Sequence, residues 1–308
     1  MTRVLCVHGI AKQLKGEETL LAEWTPALRD GLRRAGAPGS AALAELVPGD
    51  ISCAFYGDVF RGSGRQLAVG DPYLTIEDAT ADDAALLLQW WRAAAECDPS
   101  VIAPDARVLS GTRSQVTAIV QRGLMALANS RFFAGVSERG MLFDLQQVRR
   151  YLTEPQVRAK IQDRLLRAIT AQTRVLVAHS LGSVVAYEAL MSHPEWPATT
   201  LITLGSPLGL KNLIFDRLTP APEPFPRPGR PPARWPGSVT SWTNIAAEDD
   251  VIAANKNLKP LFGPDVKCFV IDNGAHAHNV AHYLTAEETG AAIARGLLGD
   301  AFVSRHES

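Results

Sequence analysis

The chain has 308 residues, which is enough for one large α/β domain, or two small ones, with a sizeable buried core. Apolar residues make up 46% and charged residues 20% of the sequence, a balance that excludes wholesale disorder. Lysine plus arginine (31) nearly equals aspartate plus glutamate (32), so the overall charge provides no electrostatic reason to bind nucleic acid or an anionic membrane.

The sequence carries neither a secretion signal nor a disulfide pattern. The apolar run that begins at Val4 is shorter than a secretory h-region, and no apolar stretch approaches the roughly 20 residues of a membrane-spanning helix. Four cysteines lack the spacing of a disulfide scaffold or of a metal site: Cys6, Cys53, Cys97 and Cys268. We therefore expect a cytoplasmic protein with reduced thiols, no transmembrane segment and no nucleic-acid partner.

Short apolar runs recur along the chain and predict buried strands, as in a parallel sheet that is covered on both faces. They lie at residues 4–7, 51–55, 175–178, 201–204 and 266–271, with a further strand at 239–245. Helical patterns alternate with several of them, and capping-box spacing at residues 285–288 predicts the start of a last helix that ends near Gly299. This alternation predicts the α/β class, with a doubly wound, mostly parallel sheet.

Two stretches interrupt the alternation. Residues 58–155 are mostly helical in pattern and too long for a single crossover, so we predict a helical insertion, and a candidate cap, within a single α/β domain of residues 1–308. Residues 219–237 carry eight prolines, which excludes a regular helix or a central strand. Because this second stretch falls between two core strands, it is either a stiff surface loop or an active-site lid.

The segment Ala178-His179-Ser180-Leu181-Gly182 carries the strongest chemical signal in the sequence. It follows an apolar strand and leads into a helix-compatible run, which is the context that a G-x-S-x-G motif requires. Tiny residues two positions before and two positions after the serine allow a tight turn, which holds the hydroxyl group out of the sheet and directs backbone N–H groups at a substrate. Alanine replaces the first glycine of the motif, the smallest available change. The segment therefore predicts that Ser180 is a nucleophile.

A second segment, Val7-His8-Gly9-Ile10, ends the first predicted strand. An oxyanion hole needs two backbone donors directed at one point, one from the residue after the nucleophile and one from a loop after an earlier strand. Leu181 and Ile10 occupy those positions, so we predict that their N–H groups bind the oxyanion. We interpret His8 as a support of the loop rather than as a base.

A serine nucleophile needs a base, and the base needs an acid that orients it. In the order Ser, acid, His, the acid should follow a strand, where three adjacent candidates occur: Glu248, Asp249 and Asp250. The base should follow the last strand, which is succeeded by three histidines: His276, His278 and His282. Spacing alone does not choose within either cluster, and the alternative for the three histidines together is a metal site.

These motifs resemble those of lipase- and esterase-like serine hydrolases in the α/β-hydrolase superfamily. The segments around the nucleophile and after the first strand resemble the nucleophile turn and the oxyanion loop of small bacterial lipases, which also tolerate alanine at the first position. Residues 203–207, Thr-Leu-Gly-Ser-Pro, resemble the segment that often follows the next strand in lipases. An aspartate followed by two β-branched residues favours Asp250 as the acid, with Asp249 as the alternative. A histidine five residues before Tyr-Leu favours His278 as the base.

The resemblance implies a triad of Ser180, Asp250 and His278 that cleaves a carboxylic ester through an acyl-enzyme intermediate, with a small acyl compound as substrate and without a cofactor or metal ion. It covers the first ten residues and residues 175–308, whereas residues 58–155 have no assigned counterpart, so substrate identity does not transfer. A thioesterase, an amidase or peptidase, or an acyltransferase would use the same triad. The alternative from another class is a catalytically silent protein-interaction module.

Overall fold

The computed structural model describes residues 2–36, 43, 49–61, 76–105, 113–128, 130, 138–274 and 277–299. The chain divides into two compact units. One unit combines Met1–Asp58 with Ala159–Ser308, and the other consists of Val59–Arg158. The assignment of residues 58–155 as an insertion that forms a cap stays a prediction.

A parallel sheet of six strands, counted over the described residues, lies in the first unit. The strands are β1 (Val4–Val7), β2 (Ile51–Ala54), β3 (Val175–His179), β4 (Thr200–Leu204), β5 (Ser241–Ala247) and β6 (Lys267–Ile271). Their order across the sheet is β2-β1-β3-β4-β5-β6, and every neighbouring pair is parallel. The α/β class predicted from the apolar runs is therefore confirmed.

Helices connect and flank these strands. In chain order they are α1 (Glu17–Arg34), α2 (Ala81–Cys97), α3 (Arg113–Ala128), α4 (Glu138–Thr153), α5 (Pro155–Ala168), α6 (Leu181–Ser192), α7 (Lys259–Phe262), α8 (Val280–Thr285) and α9 (Glu287–Leu298). Helices α2, α3 and α4 belong to the second unit. Within the described ranges, none of the helices has both the length and the apolarity needed to cross a membrane.

The strand order reverses at β1, and this reversal determines where the loops converge. From β1 the chain continues to β2 on one side, whereas β3 pairs with β1 on the other side. Right-handed crossovers through α1 and through α6 then run in opposite directions, which requires these helices to lie on opposite faces of the sheet. The carboxyl ends of β1 and β3 lie side by side at this switch point, where open α/β sheets bind ligands.

Helix α6 and the strand before it are embedded in the core. All five residues of β3 are buried, and so are the first ten residues of α6, from Leu181 to Leu190. Close packing on both sides of a junction leaves its backbone little freedom to relax. The residue between strand and helix, Ser180, is therefore held in one place by its two neighbours in the chain.

Helices α1 and α9 cross at a pair of glycines. A Cβ atom on Gly290 would lie 2.0 Å from the carbonyl oxygen of Gly31, and one on Gly31 would lie 3.2 Å from that of Ala286, just before α9, and 2.2 Å from that of Leu284 in α8. Because neither glycine has a side chain, the helix backbones approach closely. Helix α9 also contacts β3, β4 and β5, so this crossing joins α1 to a helix that covers the sheet.

In the second unit, hydrogen bonds at the start of α2 cap this helix and connect it to α4. The hydroxyl group of Thr80 accepts the N–H of Asp83 at 3.2 Å, and the Asp83 carboxylate accepts the N–H of Thr80 at 2.9 Å, which forms a capping box. The other carboxylate oxygen accepts a hydrogen bond from Nε of Arg149 in α4 at 3.1 Å. The same buried carboxylate thus begins α2 and fastens α4 to it.

The last helix begins later than the capping-box spacing predicts. Its first residue is Glu287, and Ala286 precedes it without a side-chain cap. Thr285 instead ends α8, where its hydroxyl group donates to the carbonyl oxygen of His282 at 3.1 Å. The predicted helix exists and begins within residues 285–288, but Thr285 does not cap it, because this threonine is the last residue of α8. The predicted end at Gly299 is confirmed, with a φ of 59° that favours glycine.

Strand β6 is less covered than its apolar run predicts. Phe269 is 40% exposed and Val270 55% exposed, whereas the residues of β3 and β4 are all buried. The reason is its place at the edge of the sheet, where a strand has one neighbour instead of two. The expectation of a strand covered on both faces is therefore wrong for β6.

The proline-rich residues 219–237 contain no helix or strand, as the prolines predict. The N–H of Thr219 donates to the Glu188 carboxylate at 2.8 Å, and the Tyr187 hydroxyl group donates to the carbonyl oxygen of Arg234 at 2.8 Å. These hydrogen bonds fasten both ends of the stretch to the second half of α6. Its interpretation as a lid stays a prediction.

Candidate active site

Ser180 lies in a strained turn between β3 and α6. Its φ is 54° and its ψ is −129°, a left-handed conformation that is unfavourable for every residue except glycine. The N–H of Ser180 donates to the carbonyl oxygen of Leu204 at 2.9 Å, and its own carbonyl oxygen accepts the N–H of Ser183 at 2.9 Å. These two bonds hold the turn against the strain, with Ser180 only 3% exposed.

The turn requires small residues because other backbone segments approach it closely. A Cβ atom on Gly182 would lie 2.3 Å from the carbonyl oxygen of Val7, at the end of β1. A Cβ atom on Gly9 would lie 2.7 Å from the Cβ atom of Ser180. Both distances are far below a permitted contact, so the loop after β1 and the start of α6 depend on glycine to meet at Ser180.

His278 connects Ser180 to Asp250. Its Nε2 atom lies 3.0 Å from Oγ of Ser180, and its Nδ1 atom lies 2.7 Å from Oδ2 of Asp250. The imidazole is 28% exposed at the side chain, and the carboxylate is completely buried. The structure thus brings together the serine, one of the three histidines and one of the three acids in one hydrogen-bonded chain. We call this chain of Ser180, His278 and Asp250 the relay.

The Asp250 carboxylate is fully used as an acceptor. Oδ1 accepts the N–H groups of Ile252 at 2.9 Å and Ala253 at 3.3 Å, and Oδ2 accepts the Tyr283 hydroxyl group at 2.6 Å as well as His278. Burial by itself would raise the pKa of Asp250, but attraction to His278 and the hydrogen bonds from His278 and Tyr283 outweigh it and lower the pKa. Asp250 is therefore a carboxylate that can orient an imidazole.

Tyr283 is a site residue that the sequence motifs do not assign. Its hydroxyl group accepts the N–H of Ala247 at 2.7 Å and donates to Asp250. Burial and the neighbouring negative charge of Asp250 raise the pKa of Tyr283, so the phenol stays neutral and keeps its proton to donate. In the sequence, Tyr283 serves only to choose His278, which it follows by five residues. No sequence motif indicates that its hydroxyl group contacts the acid.

His179, the residue before the serine, supports the backbone of His278. Its Nε2 lies 3.1 Å from the carbonyl oxygen of His278, and the two rings are 4.7 Å apart. Burial, and then the nearby His278, lower the pKa of His179 well below its ordinary value. A neutral ring here adds no positive charge beside His278.

His8 supports the loop after β1, in agreement with its interpretation from the sequence. Its Nδ1 donates to the carbonyl oxygen of Gly9 at 2.6 Å, while Nε2 accepts the N–H of Tyr56 at 3.1 Å. Burial lowers the pKa of His8 to about 3. Both ring nitrogens are therefore occupied, and the ring stays neutral.

The two predicted oxyanion donors belong to the two segments that meet at Ser180, the start of α6 and the loop after β1. Leu181 is the first residue of α6, so its N–H is one of the four that an α-helix leaves without an intrahelical acceptor. Ile10 follows Gly9, which packs so closely on Ser180 that a Cβ atom on the glycine would lie 2.7 Å from that of the serine. The helix dipole of α6 adds partial positive charge at the same place.

Three other candidates that the structure describes, Glu248, Asp249 and His282, are not part of the relay. Glu248 is exposed and Asp249 is partly exposed. In the turn after β5 the N–H of Asp250 donates to the carbonyl oxygen of Ala247 at 3.1 Å, and only Asp250 of the three acids is buried. Nδ1 of His282 lies 3.1 Å from the carbonyl oxygen of Asn273. The remaining histidine, at position 276, lies outside the described residues. Among the residues that are described, no group of three or more potential ligands could hold a metal ion.

Gly205 occupies the centre of the relay. Its φ is 53°, and a Cβ atom there would lie 2.8 Å from Oδ2 of Asp250 and 3.1 Å from Nδ1 of His278. The segment Thr-Leu-Gly-Ser-Pro, noted for its resemblance to lipases, therefore has a physical explanation: β4 ends against the hydrogen bond between acid and base. A side chain at this position would displace that bond.

Comparison with known proteins finds no match for this chain: neither protein-family models, nor curated proteins, nor solved structures correspond to it.

Proposed function

We propose that this chain is a serine hydrolase of the α/β-hydrolase kind, and that it cleaves carboxylic esters through an acyl-enzyme intermediate. The observation that carries the proposal is the position of His278, 3.0 Å from Oγ of Ser180 and 2.7 Å from Asp250. A hydroxyl group, a base and a buried acid at these distances meet the requirements of an activated nucleophile. The strained strand-to-helix turn at Ser180 supports the assignment to this class.

The first half of the reaction transfers the acyl group to the protein. Nδ1–H of His278 donates to Asp250, which leaves Nε2 free to accept the proton of Ser180 as Oγ attacks the carbonyl carbon of the ester. The N–H groups of Ile10 and Leu181 bind the oxyanion that forms. When the tetrahedral intermediate collapses, the C–O bond to the alcohol breaks, and His278 gives its proton to the departing alkoxide.

The second half releases the acid. His278 accepts a proton from water, which attacks the acyl carbon of the ester on Ser180, and the same two N–H groups bind the second oxyanion. Collapse of this intermediate returns the proton to Oγ and frees the carboxylic acid. Asp250 stabilises the imidazolium in both halves and keeps its own negative charge throughout.

The alternative of a silent interaction module explains less of the site. A strained residue at position 180 costs on the order of 1–2 kcal/mol of stability, and a buried carboxylate is tolerated only because four donors satisfy it. A surface used only for binding gains nothing from either feature. An activated serine gains a fixed position for its hydroxyl group and a base in the correct orientation.

Labelling with a fluorophosphonate tests the proposal directly, because this reagent reacts with activated serines. Wild-type protein should be labelled at one residue, located by mass mapping as Ser180, and Ser180→Ala should not be labelled. Ser192→Ala is the matched control, since its hydroxyl group lies on the same helix and donates to the carbonyl oxygen of Glu188. A folded wild-type protein that stays unlabelled would contradict the proposal.

Gly205→Ala should lower kcat/KM for an ester by about 100-fold, because the new methyl group displaces the bond between Asp250 and His278 by a fraction of an ångström or more. Gly299→Ala is the control: that glycine has nearly the same φ, 59° against 53°, but no atom lies within 4 Å of an added Cβ. Both variants should lose stability from backbone strain, and only Gly205→Ala should lose activity. Equal activity in the two variants would contradict the role given to Gly205.

Tyr283→Phe should shift the acidic limb of the pH profile of kcat/KM to higher pH. Without the phenol as donor, the pKa of Asp250 rises, so this carboxyl group takes up a proton at a higher pH. A protonated Asp250 cannot stabilise the positive charge that the imidazole of His278 acquires, so the fraction of active protein falls at the acidic end of the profile. The measurement is a full pH profile for the variant and for wild type.

A role of Tyr283 in packing alone would give another outcome. It would lower the midpoint of thermal unfolding and leave the position of the acidic limb unchanged. Tyr187→Phe provides the matched control, because that buried phenol donates to the carbonyl oxygen of Arg234, away from the relay, and its pH profile should match that of wild type.

A further inference from the structure

The proline-rich stretch contains a closed loop, residues 223–232, which we call the proline loop. The N–H of Glu223 donates to the carbonyl oxygen of Pro232 at 2.7 Å and closes its neck. The next residue, Ala233, is buried, and its N–H donates to the carbonyl oxygen of Leu261 at 3.0 Å. The loop therefore projects from a fixed base.

The tip of the proline loop presents one aromatic ring and two guanidinium groups to solvent. Phe225 is 92% exposed, the highest value among the large exposed apolar residues described. Arg227 and Arg230 are exposed on either side of a β-turn, in which the N–H of Arg230 donates to the carbonyl oxygen of Arg227 at 2.9 Å. Pro228 and Gly229, with a φ of 80° for the glycine, have the order that a type II turn requires.

The backbone of the tip is unusually poor in hydrogen-bond donors. Five of the ten loop residues are prolines, which have no N–H: Pro224, Pro226, Pro228, Pro231 and Pro232. The N–H groups of Glu223 and Arg230 are already bonded within the loop. Only a few N–H groups of such a loop lose their hydration when its backbone leaves water. Its prolines also limit the conformational entropy that binding would remove.

We propose that the proline loop docks on an anionic lipid surface. Phe225 enters the boundary between headgroups and acyl chains, and the guanidinium groups of Arg227 and Arg230 bind lipid phosphates. The whole chain is nearly neutral, but the proline loop carries two arginines against one glutamate, and Arg234 follows two residues after it, so this segment is locally positive. This inference does not depend on the proposed hydrolysis.

The shape of the loop favours a lipid surface over a protein groove for proline peptides. Such grooves bind an extended polyproline helix with prolines at P-x-x-P spacing. In the proline loop the turn at residues 227–230 overlaps the P-x-x-P pair of Pro228 and Pro231, so the chain reverses direction where a ligand would have to stay extended. A reversed tip with an apolar ring and flanking cations suits a flat, charged surface.

Co-sedimentation with vesicles tests the proposal. The full chain carrying Ser180→Ala, which cannot hydrolyse the lipid, is mixed with vesicles of phosphatidylcholine alone or of two parts phosphatidylcholine to one part phosphatidylglycerol. We expect partitioning onto the anionic vesicles that weakens with added salt. Replacing Arg227 and Arg230 by Gln should each reduce it about fivefold, and Phe225→Ala should reduce it about tenfold.

Matched control variants distinguish binding through the proline loop from non-specific binding through other exposed apolar or basic residues. Ile102→Ala removes an apolar side chain that is 82% exposed elsewhere, and Arg92→Gln with Arg122→Gln removes two other exposed arginines. These variants should partition like the parent. No partitioning onto anionic vesicles, or partitioning that the loop variants leave unchanged, would overturn the proposal.

The outcome is independent of the chemistry at Ser180. Phe225→Ala in the wild-type background should hydrolyse a soluble short-chain ester at the wild-type rate. Vesicle binding that depends on the loop, in a protein that a fluorophosphonate does not label, would refute the hydrolase proposal alone. Labelled, active protein without vesicle binding would refute the docking surface alone.

Discussion

Replacing Ser180 by alanine should lower kcat/KM for a soluble ester by about 1,000-fold or more without unfolding the protein. In the proposed mechanism Oγ is the atom that attacks the carbonyl carbon, so its removal leaves only the oxyanion donors and substrate binding to assist water. Steady-state kinetics with a chromogenic ester would measure the loss, and thermal unfolding would verify that the variant is folded.

The partner measurement is His278→Ala, alone and combined with Ser180→Ala. Residues that act as a unit give non-additive losses, so the double variant should be about as slow as either single variant. Losses that multiply would mean that the two side chains act independently, and would contradict the relay. Ser192→Ala should retain the wild-type rate, because its hydroxyl group bonds within α6.

Asp250→Asn should lower kcat/KM about 10,000-fold, whereas Asp249→Asn should change it by no more than about twofold. Asp250 is 1% exposed and its Oδ2 lies 2.7 Å from Nδ1 of His278, but Asp249 is partly exposed outside the relay. An amide at position 250 can turn its NH₂ group toward Nδ1 and stabilise the wrong tautomer of the imidazole. Nε2 then carries the proton and cannot act as a base.

The comparison is made with both variants in the same buffer and on the same ester. Equal, mild losses would contradict Asp250 as the acid, and a larger loss for Asp249→Asn would transfer the role to its neighbour. Because Asp250 also accepts two backbone N–H groups through Oδ1, unfolding of each variant should be measured in parallel. Activity lost from a fully folded Asp250→Asn protein is the result that we expect.

Much of the site could be predicted from position along the chain. In a parallel sheet the carboxyl ends of the strands lie at one edge, so residues that directly follow strands meet there whatever their separation in sequence. Ser180 follows β3, Asp250 lies three residues after β5, and His278 lies seven residues after β6. The apolar runs predict the positions of the strands, and the ends of the strands predict where the candidate site residues meet.

The remaining choices depend on the fold. Three consecutive acids follow β5, and only the turn that buries Asp250 distinguishes it from Asp249. Tyr283 belongs to the site because α8 carries its phenol back to the end of β5, a contact that no local pattern encodes. The need for glycine at position 205 likewise follows from two side chains more than 40 residues away in sequence.

The left-handed backbone at Ser180 implies that function and stability oppose each other at this position. Glycine adopts such a conformation without strain. The free energy of unfolding of Ser180→Gly should therefore exceed that of Ser180→Ala by about 1 kcal/mol, with a higher unfolding temperature, although neither variant should be active. Mutational drift under selection for folding alone would therefore favour the loss of this serine. In the proposed mechanism, this backbone strain is the cost in stability of placing Oγ of Ser180 for attack on the substrate.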